Sequence, residues 1–137
     1  MLKKGEELQP LGNGVSVIVS KEHHFFTDTI LLANFSKPRP NDKAVDLGTG
    51  CGTIPLLWNK ETPNNHTYAV EIQQNGADMA QRSVQMNNLQ DKITVINADL
   101  NKLKGVLPLG SFDVVACNPP YKPIGTGVVS SGQSHSI

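Results

Sequence analysis

The stretch Lys43-Ala44-Val45-Asp46-Leu47-Gly48-Thr49-Gly50-Cys51-Gly52-Thr53 decides the fold. Ala44 to Leu47 is a short apolar run of strand length, three glycines follow at alternate positions, and Thr53 to Asn59 then reads as a helix. Glycine lets a backbone turn sharply and approach a ligand without a side-chain clash, so the segment reads as strand, tight loop and helix in succession. Its Gly-x-Gly-x-Gly spacing differs from the Gly-x-Gly-x-x-Gly dinucleotide fingerprint, and no P-loop lysine accompanies it.

Downstream the same pattern recurs. Thr67 to Ile72 reads as a second strand, Asn75 to Asn87 as a helix with Ala77, Ala80 and Val84 on one face, Ile93 to Ile96 as a third strand, and Phe112 to Cys117 as a fourth. Strands alternating with helices imply an α/β fold with a parallel sheet, right-handed crossovers and flanking helices. Upstream, Val15 to Ser20 follows the turn residues Gly12-Asn13-Gly14 and reads as a short amino-terminal β element. Thr29 to Phe35 is a short helix that Asp28 is expected to cap and that Pro38 and Pro40 bring to an end. The expected organisation is residues 1–40 as β element and helix, 41–124 as the core, and 125–137 as a Gly- and Ser-rich tail.

In an open parallel sheet a ligand lies beyond the carboxyl ends of the strands. Asp46, just ahead of the glycines, suits a cationic or amino-bearing ligand. Glu71 ends the second strand, where an acidic residue can accept both hydroxyl protons of a ribose. Asp99 follows the third strand and can accept from an adenine amino group, with the Leu100 amide donating to the ring. Ribose plus cation points to S-adenosylmethionine. Alone, Glu71 or Asp99 would be as well explained as a helix cap or a surface charge; at successive strand ends the three acids argue together.

Asn118-Pro119-Pro120-Tyr121 follows the fourth strand. An amide or aromatic amino nitrogen is a poor nucleophile because its lone pair is delocalised. The Asn118 side-chain oxygen and the Pro119 carbonyl can accept its hydrogens and localise that lone pair. Consecutive prolines stiffen the loop, and Tyr121 offers a flat face to a planar acceptor. A proline-stiffened surface turn with Tyr121 packed inward is the bland alternative.

With this loop the sequence resembles the class I adenosylmethionine-dependent methyltransferases of amino groups, which share a Rossmann-like sheet and an Asn/Asp-Pro-Pro-Tyr/Phe motif; the likeness covers about residues 24 to 137. Within that class it is most similar to the bacterial enzymes that methylate the exocyclic nitrogen of an adenine beside the anticodon of a valine tRNA. The resemblance implies a tRNA or other RNA substrate. It places Asn118, Pro119, Pro120 and Tyr121 in catalysis, and Asp46, Gly48, Thr49, Gly50, Cys51, Gly52, Glu71, Ile72, Asp99, Leu100 and Asn118 around the cofactor. Phe26-Thr27-Asp28-Thr29-Ile30-Leu31-Leu32 resembles an upstream motif that closes over the methionine end of the cofactor, which gives Thr27 and Asp28 a contact there. His23, His24 and His135 are read as surface or packing residues, and Trp58 as core.

The class has seven strands in the order 3-2-1-4-5-7-6, and four are recognisable here. The expectation is therefore a sheet truncated after strand four, with an edge at Val114, Val115 and Ala116 open to another chain and with weakened cofactor binding and turnover. Two other functions compete: protein-glutamine methylation of the release-factor type, and a cofactor-binding fragment without activity. Release-factor enzymes carry a helical domain ahead of the core, and some forty residues precede Asp46, which favours RNA.

Bulk properties narrow the classes further. Twelve basic residues balance twelve acidic ones, so nucleic acid cannot be held by an overall field and any such contact is local. Cys51 and Cys117 lack zinc-ligand spacing and read as free thiols, and no metal site is expected. There is no signal-peptide pattern and no stretch approaching the ~20 apolar residues of a membrane span, so the expectation is a cytoplasmic protein without a membrane partner.

Overall fold

The computed structural model describes residues 2–62, 66–102, 107 and 109–117. Strands β1 (Glu6–Gly12) and β2 (Val15–Ser20) form an antiparallel hairpin, with Glu6 opposite Ser20 and Gly12 opposite Val15. The sequence pattern showed β2 but not β1. Most of β1 faces solvent, so Glu6-Glu7-Leu8-Gln9-Pro10 carries no apolar alternation, and its pairing with β2 is what makes it a strand.

Helix α1 (Thr27–Phe35) begins at Phe26, whose extended backbone is the N-cap, and the Phe26 amide donates to Thr29 Oγ1 at 3.3 Å. Asp28 is therefore not the cap. It lies inside the first turn, where a carboxylate complements the positive end of the helix dipole. The helix ends at Phe35, ahead of Pro38, with Ser36 donating through its amide and its hydroxyl to the Leu32 carbonyl.

The core alternates as expected: β3 (Lys43–Leu47), α2 (Thr53–Glu61), β4 (His66–Glu71), α3 (Gln74–Met86), β5 (Ile93–Asn97) and β6 (Val114–Cys117). The sheet is parallel throughout, in the order β5-β4-β3-β6. Each right-handed crossover from β3 to β4 to β5 steps the same way, which puts α2 and α3 on one face; β6 then returns to the other side of β3. The carboxyl ends of β3 and β6 thus border the switch point, and Leu47 and Cys117 are register partners there. Among the described residues β5 and β6 are the two edge strands of this sheet.

The helix-covered face is built from small strand residues. Ala44 and Ala116 meet Ala33, Ile54 and Trp58, while Ala69 and Ile93 meet Leu56, Met79, Val84 and the hairpin residues Val17 and Ile18. Alanine on the strands lets the helices approach closely. Trp58 is core, as expected, with its indole N–H donating to the Ala33 carbonyl at 3.2 Å. The hairpin joins the core through side chains of α3: Ile18 N–H donates to Ser83 Oγ at 2.9 Å, and Asn87 bonds both backbone groups of Ser16. Arg82 meets Glu6 with two bonds, of 2.7 and 2.8 Å.

Candidate active site

The loop after β3 folds back on β4. The amides of Gly48 and Thr49 donate to the Val70 carbonyl at 2.8 and 2.9 Å, the Gly52 amide closes a turn on the Thr49 carbonyl, and Gly48, Gly50 and Gly52 all have positive φ. Gly52 carries the strictest demand. Its φ is +94°, and an added Cβ would stand 3.1 Å from the Ala80 Cβ, so a side chain there would both strain the backbone and push α2 away from α3.

Glu71 completes this loop. Its Oε1 accepts from the Gly50 amide at 2.8 Å and its Oε2 from the Gln73 amide at 2.9 Å, which holds the carboxylate across the mouth of the glycine turn. A carboxylate has about four acceptor positions, so each oxygen keeps one for a ligand hydroxyl.

Around this loop lies a cleft of about 470 Å³, within the range of small-molecule sites. The turn from Gly48 to Cys51 floors it with Leu47 and Cys117, Glu71 and Ile72 form one wall, and the segment before and into α1 forms the other. Of the residues expected around the cofactor, Gly48, Thr49, Gly50, Cys51, Glu71, Ile72 and Asp28 come together here. Thr27 is exposed and is not a lining residue; Thr29, two residues further on, is. Asp99 is also outside the lining. Its Oδ1 accepts from the Asn101 amide at 2.9 Å, so it caps the short 3-10 turn Leu100–Lys102 in this structure.

Asp46 lies behind the cleft wall, on the same face of β3 as Ala44, and is fully buried. Among the described residues neither carboxylate oxygen meets a partner at full hydrogen-bond geometry, and nor does the Thr49 hydroxyl beside it. Burial pushes the carboxyl up to about 7, with the nearby Thr49 hydroxyl opposing this and the Glu71 charge adding to it. An orphaned buried acid is costly unless a proton or a cation satisfies it. Burial likewise raises both thiols, Cys51 fully enclosed and Cys117 half-buried at the end of β6.

The segment Glu22 to Phe26 also lines the cleft; of its residues the sequence pointed only to Phe26, in the motif leading into α1, and His23 and His24 read there as surface or packing residues. It is held by Ser20: the Ser20 amide donates to the His23 carbonyl at 2.8 Å, Ser20 Oγ accepts from the His23 amide, and His24 Nδ1 meets the Ser20 carbonyl. For the residues ahead of Phe26 the sequence signal was two of the four phenylalanines side by side, immediately before Thr27-Asp28. Asn118, Pro119, Pro120 and Tyr121 lie outside the described residues; in the chain they follow directly on Cys117. Among the described residues there is no group of three or more His, Cys, Asp or Glu able to hold a metal, and no helix long and apolar enough to cross a membrane.

A parallel sheet in this order, with a glycine turn after its first strand and an acid after its second, has the architecture of the Rossmann-like adenosylmethionine-dependent methyltransferases. The chain belongs to the methyltransferase small domain family, whose model matches residues 16–130. It is 36% identical over 83 residues to a release factor glutamine methyltransferase of Rhodopirellula baltica, covering 61% of this chain and 27% of that protein. To a tRNA1(Val) (adenine(37)-N6)-methyltransferase of Glaesserella parasuis it is 33% identical over 95 residues, covering 69% and 39%. The crystal structure of TrmN from Thermus thermophilus superimposes with a TM-score of 0.59 at 25% identity, covering 69% of this chain and 28% of that one. The chain thus spans well under half the length of the relatives it matches.

Proposed function

We propose that the cleft binds S-adenosylmethionine and that the protein transfers its methyl group to an exocyclic amino nitrogen, adenine N6 of a tRNA. The observation that carries this reading is the convergence on one cleft of the glycine turn, the tethered Glu71 carboxylate and, just behind them, a buried acid with no hydrogen-bond partner among the described residues. The ligand's chemistry fits these groups: hydroxyls for the free acceptor positions of Glu71, and a positive charge in the cleft whose field favours the Asp46 carboxylate buried behind the turn. Ile72, exposed at the cleft wall, offers apolar surface to the adenine, with Asp99 and the Leu100 amide as its polar partners once the 3-10 turn adjusts.

When bound, this cofactor supplies a methyl group activated by a sulfonium. The chain's own task is to prepare the acceptor. In this reading Asn118 Oδ1 and the Pro119 carbonyl accept the two amino hydrogens, Tyr121 stacks on the base, and no strong base is needed. Relatives named for tRNA adenine methylation align over 95 residues or more, against 83 and 84 for the glutamine methyltransferases, which supports RNA over protein as the substrate. The 36% identity to a release factor enzyme keeps glutamine methylation as the second reading. A tRNA substrate also places the protein in a reducing cytoplasm, where Cys51 and Cys117 stay thiols.

Incubation with tritiated S-adenosylmethionine, bulk tRNA and release factor separates the two. Label in tRNA at N6-methyladenine is the expected result, and label in release factor alone would overturn it.

A further inference from the structure

Gly76, in the first turn of α3, has two side chains lying against it. A Cβ at that position would stand 3.1 Å from Glu71 Cγ, 3.1 Å from His23 Cε1 and 3.2 Å from His23 Nδ1. The imidazole and the stem of the carboxylate therefore rest side by side on one Cα, and both line the cleft. The His23 backbone is tied to Ser20 through amide and carbonyl, so the residue is held in place while its ring is left to the cleft. His24 is placed differently: its Nδ1 is taken up by the Ser20 carbonyl.

A ribose presents two hydroxyls, each a donor and an acceptor. Glu71 can only accept, and the amides of Gly50 and Gln73 that hold it are already spent on it. The diol oxygens would then take no donor from this carboxylate or from the two amides that hold it. An imidazole carries at least one N–H in either charge state. Resting on the cofactor reading above, we infer that His23 is a ligand-binding residue that donates to a ribose hydroxyl whose proton Glu71 accepts, and that Gly76 is glycine because any side chain would displace both groups.

The test is titration calorimetry of the full chain with S-adenosylhomocysteine and with its 2′-deoxy and 3′-deoxy analogues. His23→Ala is expected to weaken S-adenosylhomocysteine by roughly 3- to 10-fold, the worth of one neutral hydrogen bond, and to leave unchanged the affinity for the analogue lacking the hydroxyl it serves. His23→Gln, which restores an N–H donor, should recover part of the loss. Gly76→Ala should weaken S-adenosylhomocysteine while the melting temperature holds or rises, because alanine favours the helix. Equal weakening of all three ligands by His23→Ala, no weakening at all, or unchanged affinity in Gly76→Ala would overturn the assignment while the cofactor reading stands. Failure of the unmodified chain to bind any of the three would bring down both.

Discussion

The seam between the hairpin and α3 and the strand end beneath the glycine turn each enclose a carboxylate, and the two are treated in opposite ways. Glu6 has Arg82 across from it with two short bonds, and that guanidinium holds its carboxyl down at about 2. Asp46 has no hydrogen-bond partner among the described residues, and burial pushes it up to about 7. The first acid is part of what fastens the hairpin to the core. The second is a cost to the fold, of the kind expected beside a site for a positively charged ligand. The difference is one of solvation: both leave bulk water, but only Glu6 gains a countercharge in exchange.

The largest expected effect comes from removing that cost. The Asp46 carboxyl lies above its ordinary 3.8, so the cost of burying its charge is absent below that pH, and stability is lost as the pH rises from there through about 7. The full difference is on the order of 4 kcal/mol. Urea melts should therefore show Asp46→Asn more stable than the unmodified chain above pH 7 and the two converging near pH 4, with cofactor affinity reduced in the variant. Curves that stay parallel across that range would break the contrast with Glu6.

A smaller effect is expected at the turn itself. Gly52→Ala combines a positive φ with a Cβ 3.1 Å from Ala80, for a cost of about 2 kcal/mol in denaturant melts. Adding Ala80→Gly should return the part due to contact and not the part due to φ. Complete rescue would show that the backbone conformation is not strained for alanine.

The smallest belongs to the seam. Glu6→Gln should cost about 1 kcal/mol at neutral pH. Because the folded carboxyl lies below its ordinary 4.5, that contribution is complete above pH 4.5 and disappears as the pH falls through about 2. Cofactor affinity should be unchanged. A loss of affinity as large as that of Asp46→Asn would mean that the hairpin seam and the cleft are one energetic unit.

Parts of the molecule that depend on local pattern were legible in advance. The strands after residue 43, their intervening helices and the glycine turn follow from hydrophobic period and from three glycines at fixed spacing, and the sheet order β5-β4-β3-β6 is the one the resemblance implied. Strand β1 was not legible, because an outward-facing strand has no apolar rhythm and exists through its partner. Nor was the N-cap of α1. Asp28 is a better capping residue than Phe26 by type, but the backbone turns one step earlier and Thr29 takes the amide.

What the sequence by itself determined is the class of fold and the set of acids that follow the strands, since period and glycine spacing act over a few residues. What only the tertiary structure decided is where each acid ends up: Glu71 tethered across the glycine turn, Asp99 spent on a 3-10 cap, and Asp46 sealed behind the wall. The same is true of His23, which a loop from the hairpin carries onto a glycine of α3 beside Glu71. Burial and partners are properties of packed neighbours far apart in the chain, and residue type alone does not carry them.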